Sequence, residues 1–329
     1  MKVLVTGSTG FIGSRICMRL AEQGYLVNAL CRNMQHPFLP THKNIQPFKG
    51  DILCKESLVT AMDNCDQVYH TAALAKMWTR KKTDFYDINV TGTKNVLEAA
   101  QLKGIKKLVH TSTCGVWGPT RLYPITETDP RITGYPINYE RTKYLAELMV
   151  KIFVEQGVPV VIVNPSRVYG EGPVTDSNTV GKMILAYLKG NWRIKPGSGR
   201  QVSNYAYLDD VVEGHIAAMN KGIVGNRYIL GGEDVSYDAF FTTLKQVSGK
   251  DFRLMKVPQN IIKWYSQLEQ LKTAITGMPP YLLPAFADRL KYNHMYSSVK
   301  AIQQLGYTIT PFDSGMKITV NDLKSRVYA

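Results

Sequence analysis

The amino-acid sequence predicts an α/β protein with a doubly wound parallel sheet and a smaller α+β region towards the C-terminus. Short runs rich in valine and isoleucine alternate with helical patterns through the first half of the 329 residues. Strands of this composition belong to parallel sheets that helices cover on both faces. Right-handed crossovers between such strands produce the doubly wound arrangement.

The elements of the first half are predicted from their residue periods. Ile12, Ile16 and Leu20 are four residues apart, which places them on one face of a helix over Phe11–Glu22, and Gly24 ends that helix. Six buried strands are predicted at Lys2–Thr6, Tyr25–Cys31, Asn44–Phe48, Gln67–His70, Lys107–Thr111 and Val158–Val163.

Glycine and proline punctuate the second half, at residues 195–199 and 277–280. Helices are predicted at Asn178–Leu188, Tyr237–Val247 and Asn260–Ala274, and the strand Arg227–Leu230 is expected to return to the main sheet. We therefore expect a first domain over residues 1–165, with a return strand near residues 200–232, and a second region over residues 166–329.

The composition is typical of a globular protein, with 44% hydrophobic and 20% charged residues. No apolar run approaches the roughly 18 residues of a membrane span, and the apolar run of the first residues, MKVLVTG, is too short for a signal peptide. The net charge of +14 suits a nucleic acid, an anionic lipid or an acidic small molecule. Since no arginine-rich run, zinc-finger spacing or basic helix accompanies that charge, we expect no nucleic-acid partner.

The five cysteines are scattered and form no CxxC pair. An odd, dispersed set argues against a disulfide framework and favours a reducing compartment, so we expect a cytoplasmic protein. Zinc ligation lacks closely spaced pairs, and no metal site is predicted.

A glycine turn joins the first strand to the first helix. Gly7 permits a tight turn, Gly10 lets the backbone approach a pyrophosphate, and Gly13 lets the helix pack closely on the strand. The free N–H groups and positive dipole end of the helix then face the phosphates. The first domain is therefore predicted to bind a dinucleotide in a Rossmann fold, which leaves the second region mainly for the substrate.

The residues after the second strand bear on the choice of dinucleotide. Cys31-Arg32-Asn33 stands where an acid would bind the adenosine ribose of NAD(H). A guanidinium binds a 2′-phosphate bidentately, so Arg32 favours NADP(H) over NAD(H), unless it is merely a solvated strand-end residue. Asp51, after the third strand, is a candidate acceptor for the adenine amino group, although acids are common in such turns.

Tyr139 and Lys143 form a YxxxK pattern in a predicted helix. Positions i and i+4 lie on one helical face, so the ammonium is expected near the phenol and the cofactor ribose. A nearby cation favours phenolate and would lower the tyrosine pKa, as a proton donor in carbonyl reduction requires. After the fifth strand, Thr113 is the preferred hydroxyl to hydrogen-bond the substrate oxygen, with Ser112 as the alternative.

Several motifs in order resemble the extended short-chain dehydrogenase/reductases of the NAD-dependent epimerase/dehydratase superfamily. The resemblance runs through essentially the whole chain on the following segments: TGSTGFIG at 6–13, HTAA at 70–73, NVTGT at 89–93, STCGVWG at 112–118, YERTK at 139–143, NPSRVYG at 164–170, YLDDV at 207–211 and LGY at 305–307.

The resemblance implies specific roles for these residues. It implies Thr113, Tyr139 and Lys143 as the catalytic group, with Asn89 as a buttress of the site. It implies that the cofactor site is formed by Gly7, Thr9, Gly10, Phe11, Ile12, Gly13, Arg32, Asp51, Ile52, Thr71, Ala72, Ala73, Tyr139, Lys143, Asn164 and Pro165. A homodimer is also common among these enzymes.

The motifs resemble the dihydroflavonol reductase-like and hydroxysteroid dehydrogenase-like branch more than the nucleotide-sugar branch. Nucleotide-sugar enzymes usually carry arginine where this chain has Asn164 and Ser203. Arg193 or Arg200 could still supply a charge for a diphosphate. The apolar segment Ile261–Leu283 is either a substrate cap or simple packing.

Three functions follow for these residues. The preferred one is NADP(H)-dependent reduction of a ketone or aldehyde of a small or lipophilic substrate. The first alternative is a nucleotide-sugar epimerase or dehydratase with tightly bound NAD. The second is a non-catalytic dinucleotide sensor, which the presence of Tyr139 and Lys143 argues against.

Overall fold

A seven-stranded parallel sheet forms the centre of the computed structural model, which describes residues 1–120 and 122–327. Its strand order is β10-β6-β5-β4-β1-β2-β3, so the order reverses at β1, between β2 and β4. The strands are β1 (Lys2–Thr6), β2 (Leu26–Cys31), β3 (Ile45–Lys49), β4 (Gln67–His70), β5 (Lys107–Thr111), β6 (Val160–Pro165) and β10 (Arg227–Leu230).

Helices cover both faces of this sheet because its strands are apolar on both sides. Along β1, Val3 and Val5 face one core, whereas Leu4 faces the other. The first core is covered by α1 (Phe11–Glu22), α7 (Leu208–Lys221) and α11 (Val299–Leu305). The second is covered by α2 (Lys55–Ala61), α4 (Gly92–Leu102) and α5 (Asn138–Glu155). The doubly wound fold predicted from the sequence is confirmed.

Most predicted boundaries lie within two residues of the observed ones. The strands β1, β4 and β5 and the helix α1 begin and end where predicted. The largest strand error is at β6, which was expected over 158–163 but occupies Val160–Pro165. Pro159 has no N–H to donate, so regular pairing starts after it.

Besides the helices α7 and α11 that cover the main sheet, the described part of the second region, residues 166–327, forms two small sheets and five further helices. The sheets are formed by β7 (Arg167–Tyr169), β9 (Val202–Tyr207) and β11 (Glu233–Ser236), and by β8 (Ile194–Pro196) and β12 (Met255–Val257). The helices are α6 (Thr179–Leu188), α8 (Tyr237–Ser248), α9 (Gln259–Thr276), α10 (Pro284–Arg289) and α12 (Phe312–Val327). As expected for Arg227–Leu230, β10 pairs in parallel with β6 in the main sheet.

The apolar segment Ile261–Leu283 packs only in part. Ile262 is buried, whereas Trp264, Leu271 and Ile275 are exposed. Simple packing therefore does not account for this segment. Within residues 1–120 and 122–327, no helix combines the length and the apolar character that crossing a bilayer requires.

Candidate active site

The predicted site residues gather at the carboxyl ends of the parallel strands. The glycine turn follows β1, Thr71 follows β4, Thr113 follows β5, and Pro165 ends β6. In doubly wound sheets, ligands bind in the crevice at this edge, at the point where the strand order reverses. The short helix α3 (Asp84–Tyr86) and the π-helical turn Asp87–Thr91 lie between β4 and α4.

The glycine turn leaves no room for side chains. Gly7 adopts φ +73°, and a Cβ there would lie 2.7 Å from the backbone nitrogen of Ala72. A Cβ on Gly13 would lie 2.2 Å from the carbonyl oxygen of Gly7. Gly10 begins α1 without any side-chain cap, so the first N–H groups of the helix remain available to a phosphate.

The loop after β4 is bound to the end of β1. Thr71 donates from Oγ1 to the carbonyl oxygen of Thr6 at 2.7 Å, and the Ala72 nitrogen lies 3.3 Å from Thr6 Oγ1. Thr9, Ile12 and Ala73 are half-buried, and Phe11 is buried. These contacts fix the shape of the turn before any ligand binds.

Arg32 and Asp51, the residues predicted to bind the adenosine part of the cofactor, differ in the contacts that their side chains make within the protein. Arg32 is exposed at the end of β2 and has no ion-pair partner among the residues that the structure describes. Asp51 accepts the Leu53 backbone N–H at 3.0 Å, which commits one carboxylate oxygen to the local turn. Ile52 is buried against Gly92.

Tyr139 lies in the first turn of α5 and is half-buried. Burial raises its pKa to about 12, and the neighbouring Thr113 side chain opposes that rise. Ser112 is buried and its hydroxyl lacks a partner among the described residues. The structure therefore places Thr113, rather than Ser112, beside the Tyr139 hydroxyl.

Lys143 lies one turn further along α5 and is 1% exposed. Burial lowers its pKa to about 8, and the nearby Glu147 carboxylate opposes that change. Its Nζ is 3.4 Å from Nε2 of His110. The expectation that Lys143 lowers the Tyr139 pKa is wrong for this arrangement, because desolvation of the phenol dominates and raises that pKa.

Two buried histidines lie beneath this lysine, and sequence reasoning did not select either. The rings of His70 and His110 are 5.2 Å apart. His70 bridges Thr6 Oγ1 at 2.8 Å and Thr93 Oγ1 at 3.0 Å. Burial lowers the pKa of both histidines, so both are neutral near pH 7. Both histidines lie at the carboxyl ends of strands, β4 and β5, and this position is the sequence feature that could have identified them.

Asn89 is fully buried in the π-helical turn, a feature frequent at functional sites. Its Oδ1 accepts the Leu74 N–H at 2.7 Å, and its Nδ2 lies 2.9 Å from Thr142 Oγ1. Asn89 thus connects the loop after β4 to the helix that carries Tyr139 and Lys143.

Asn164 lies beneath the Thr113 loop. Its Nδ2 donates to the Thr113 carbonyl oxygen at 3.2 Å and to Glu147 Oε1 at 2.7 Å. The backbone carbonyl oxygen of Asn164 accepts a hydrogen bond from the Cys114 thiol at 3.1 Å. Pro165, the last residue of β6, is buried. The amide of Asn164 therefore holds the loop that presents Thr113.

Glu140, which follows Tyr139, joins parts of the chain that are distant in sequence. Its buried carboxylate pairs with Arg131 at 2.9 Å and with Arg289 of α10. Arg131 also donates to the carbonyl oxygen of Gly115 at 2.6 Å. The sequence contains no signal for the Arg289 contact, because it depends on how the second region folds back onto α5.

In the second region, Arg167 of β7 is a half-buried cation. Its Nη1 lies 3.4 Å from the Tyr237 hydroxyl, and no carboxylate pairs with it within residues 1–120 and 122–327. Ser203 is buried, Arg200 is exposed, and Arg193 stacks on the Phe252 ring at 4.1 Å. Sequence reasoning considered Arg193 and Arg200 but not Arg167.

Comparison with known proteins agrees with this site. Residues 3–231 match the model of the NAD dependent epimerase/dehydratase family. The chain belongs to this family. It is accordingly an NAD(P)-dependent enzyme of the extended short-chain dehydrogenase/reductase type, as the motifs predicted.

Two curated relatives are dehydrogenases or reductases by name. The "Putative dihydroflavonol 4-reductase" of Synechocystis is 32% identical over 312 residues, which cover 92% of this chain and 88% of the relative. The 3 beta-hydroxysteroid dehydrogenase/Delta 5-->4-isomerase of Mycobacterium tuberculosis is 28% identical and covers 93% of this chain and 85% of its own. The predicted resemblance to this family, with dihydroflavonol reductase-like and hydroxysteroid dehydrogenase-like relatives, is therefore confirmed.

Among solved structures, UDP-glucose 4-epimerase of Thermotoga maritima, determined with UDP-glucose, superposes with a TM-score of 0.83. The match covers 99% of this chain and all of that one, at 24% identity. At this identity the similarity shows the fold alone.

Proposed function

We propose that this enzyme reduces a ketone or aldehyde of a small or lipophilic substrate by hydride transfer from NADP(H). The observation that carries the proposal is that the Tyr139 and Thr113 side chains lie next to each other, at the same sheet edge as the glycine turn. A proton donor and an oxygen-binding hydroxyl are the groups that carbonyl reduction requires.

The glycine turn fits a dinucleotide, because Cβ atoms on Gly7 and Gly13 would collide with the neighbouring chain and distort the turn, and because no side chain caps the N-terminus of α1. A bound nicotinamide supplies the hydride. Gly7, Gly10 and Gly13 would hold the pyrophosphate, and Thr71, Ala72 and Ala73 would border it.

The protein's own groups handle the proton. With its pKa raised to about 12, Tyr139 is protonated near pH 7 and can donate its proton to the carbonyl oxygen as negative charge develops there. Thr113 donates a hydrogen bond to the same oxygen. The Lys143 ammonium, charged below about pH 8, stabilises the resulting phenolate.

Arg32 supports the choice of NADP(H), because its guanidinium is exposed at the end of β2 with no competing carboxylate partner among the described residues. We expect Arg32→Ala to weaken NADPH binding by about 10- to 100-fold, the loss of one or two charge-assisted hydrogen bonds. Binding of NADH should stay the same. Fluorescence titration with both cofactors measures this, and Lys189→Ala removes another exposed cation as the control.

A test of the overall function is oxidation of NADPH and NADH with flavonoid, steroid, aliphatic and sugar-nucleotide carbonyls. The proposal expects turnover with at least one of the first three classes, supported by exchangeable NADPH. Turnover confined to sugar nucleotides would contradict it.

One observation favours a second candidate, a nucleotide-sugar epimerase or dehydratase. A relative named UDP-N-acetyl-alpha-D-glucosaminuronate decarboxylase, from Bacillus cytotoxicus, is 31% identical over 273 residues, which cover 78% of this chain and 83% of the relative. Ser203 is buried at the position where those enzymes usually carry arginine, which weighs against this candidate. NAD that remains bound through purification would favour it, whereas exchangeable NADPH favours the reductase.

A further inference from the structure

One face of α9 is apolar and exposed to solvent. The side chains on it recur at intervals of three and four residues, so they lie on one side of the helix. They are Ile261, Trp264, Leu268, Leu271 and Ile275, and Met278 follows the helix with the same spacing. Trp264 is 62% exposed, Leu271 59% and Ile275 76%.

The core contact of α9 is made by a different side of the helix. Ile262, Ser266 and Glu269 are buried against the rest of the molecule. Lys263, Gln267 and Gln270 form a third, polar side that is also exposed. The helix is therefore already anchored, and its exposed apolar face is available to something else. A patch of this kind on a folded protein marks an interaction site.

Basic residues outnumber acidic ones in and around α9. Residues 253–283 contain four lysines and arginines but one acid, Glu269, which pairs with Lys272 at 3.2 Å. Arg253, Lys256 and Lys263 are exposed and have no ion-pair partner among the residues that the structure describes.

A basic loop lies at the C-terminal end of α9. Residues 76–82 contain four lysines and arginines and no acid. Arg80 reaches the helix end, since a Cβ on Gly277 would lie 3.4 Å from its Nη2. Lys76 and Lys81 have exposed carboxylate partners at 3.1 Å and 3.6 Å. Lys82 is exposed and has none among the described residues.

The charge decides between two occupants of this face. A second copy of the chain could pair its own α9, because apolar residues three and four apart also form coiled-coil seams. Pairing would, however, bring together two molecules that each carry a net charge of +14, with these basic residues beside the contact. An anionic lipid surface instead attracts the same residues.

We propose that the exposed face of α9 docks onto a bilayer surface that contains anionic lipids. The helix lies along the surface, with Leu268, Leu271 and Ile275 in the acyl boundary and the basic loop against the head groups. Trp264, Tyr265 and Tyr281 are exposed aromatic side chains of the type that reside at head-group depth. Two signals, apolar and basic, together give stable attachment where one alone is marginal.

This surface is connected to the candidate active site through two of its neighbours. The basic loop leaves the carboxyl end of β4, where Thr71 and Ala72 border the glycine turn. The helix α10, which packs on α9, carries the Arg289 that pairs with Glu140. Docking would therefore place the bilayer beside the elements that frame the site. The proposal stands on the surface itself and does not depend on the reaction catalysed.

The test is flotation of the full-length chain with vesicles of phosphatidylcholine alone and with about one third phosphatidylglycerol. We expect binding to the anionic vesicles, weakened as salt rises above about 0.1 M. Leu268→Glu with Leu271→Glu should reduce the partition coefficient by at least about 100-fold, since two buried leucines are lost. The control, Gln267→Glu with Gln270→Glu, adds the same charges to the polar side and should retain most of the binding.

Two further measurements locate the contact. Lys81→Gln with Lys82→Gln should weaken binding about tenfold or more at low salt. Trp264→Phe should remove most of the vesicle-induced blue shift in tryptophan emission, whereas Trp192→Phe, which alters a packed side chain, should keep it.

Three outcomes would overturn the proposal. The first is equal vesicle binding by the Leu268→Glu, Leu271→Glu variant and by the Gln267→Glu, Gln270→Glu control. The second is no flotation of the wild-type chain with anionic vesicles. The third is a concentration-dependent dimer that Leu268→Glu with Leu271→Glu breaks, without any vesicle binding, which would assign the face to a second copy of the chain.

Discussion

The helices α1 and α9 are both amphipathic, yet the molecule uses their apolar faces in opposite ways. In α1, Ile16 and Leu20 are fully buried against the sheet. In α9, Trp264 and Leu271 are exposed. The comparison shows that residue periodicity predicts a helix and its apolar face but not what covers that face.

The surroundings of the two helices explain the difference. Close backbone contacts fix α1, because Gly13 lets the helix approach the Gly7 carbonyl oxygen and Gly10 starts it at the end of β1. The main packing partner of α9 is α10, a short element of the second region. The turn and helix that follow β1 are thus determined by local contacts, whereas the environment of α9 is determined by tertiary packing.

The largest effect is expected from a substitution that disrupts the close packing of α1. Gly13→Ala would place a Cβ 2.2 Å from a backbone oxygen that cannot move away cheaply. We expect a loss of about 1–3 kcal/mol in the free energy of unfolding, and about 100-fold weaker cofactor binding because the turn is displaced. Thermal unfolding and cofactor titration measure these effects. Gly134→Ala, where nothing lies within 4 Å of the new Cβ, should change neither quantity.

The second prediction concerns the buried chemistry of the site. Since burial lowers the Lys143 pKa to about 8, kcat/KM should fall about tenfold per pH unit above that value as the ammonium is lost. Between about pH 8 and the ordinary lysine pKa, the unfolded chain binds more protons at this group, so its contribution to stability rises with pH while activity falls.

The same experiment tests His110 as a positioning residue. Nε2 of His110 lies 3.4 Å from Lys143 Nζ. His110→Leu removes this contact with the ammonium, so the alkaline limb of the kcat/KM profile should move to lower pH. A pH profile that stays flat to about pH 9.5 in the wild type would contradict the assigned role of Lys143.

The smallest effect is expected from a substitution on the exposed apolar face of α9. Leu271→Ser should change the free energy of unfolding by no more than about 0.5 kcal/mol, since the side chain is already exposed. Leu244→Ala, in the fully buried face of α8, should cost about 2–5 kcal/mol. Urea unfolding compares the two variants. Equal costs would mean that α9 is covered by the protein itself.

The sequence sufficed for the fold and for much of the site. Buried strands such as Lys107–Thr111 and the glycine turn are determined by residue type and spacing within about ten residues, and the structure has them where predicted. The choice of Thr113 over Ser112 agrees with the position of the Thr113 side chain next to Tyr139, and its catalytic role stays a prediction.

Other features depend on contacts that a sequence does not display. Helical spacing places Tyr139 and Lys143 on one face of α5, but only the packed structure shows Lys143 Nζ beside His110. Burial, which depends on the whole fold, reverses the expected direction of the Tyr139 pKa. The Arg289–Glu140 pair joins residues that are 149 positions apart.

The most direct test of the proposed mechanism is single-turnover hydride transfer in Tyr139→Phe, measured with NADPH and the best carbonyl substrate of the panel. The variant keeps the ring and removes the proton donor, so we predict a rate about 100- to 10,000-fold lower. The dissociation constant of NADPH should stay within about threefold, because the glycine turn holds the dinucleotide. Full activity in Tyr139→Phe would contradict the account.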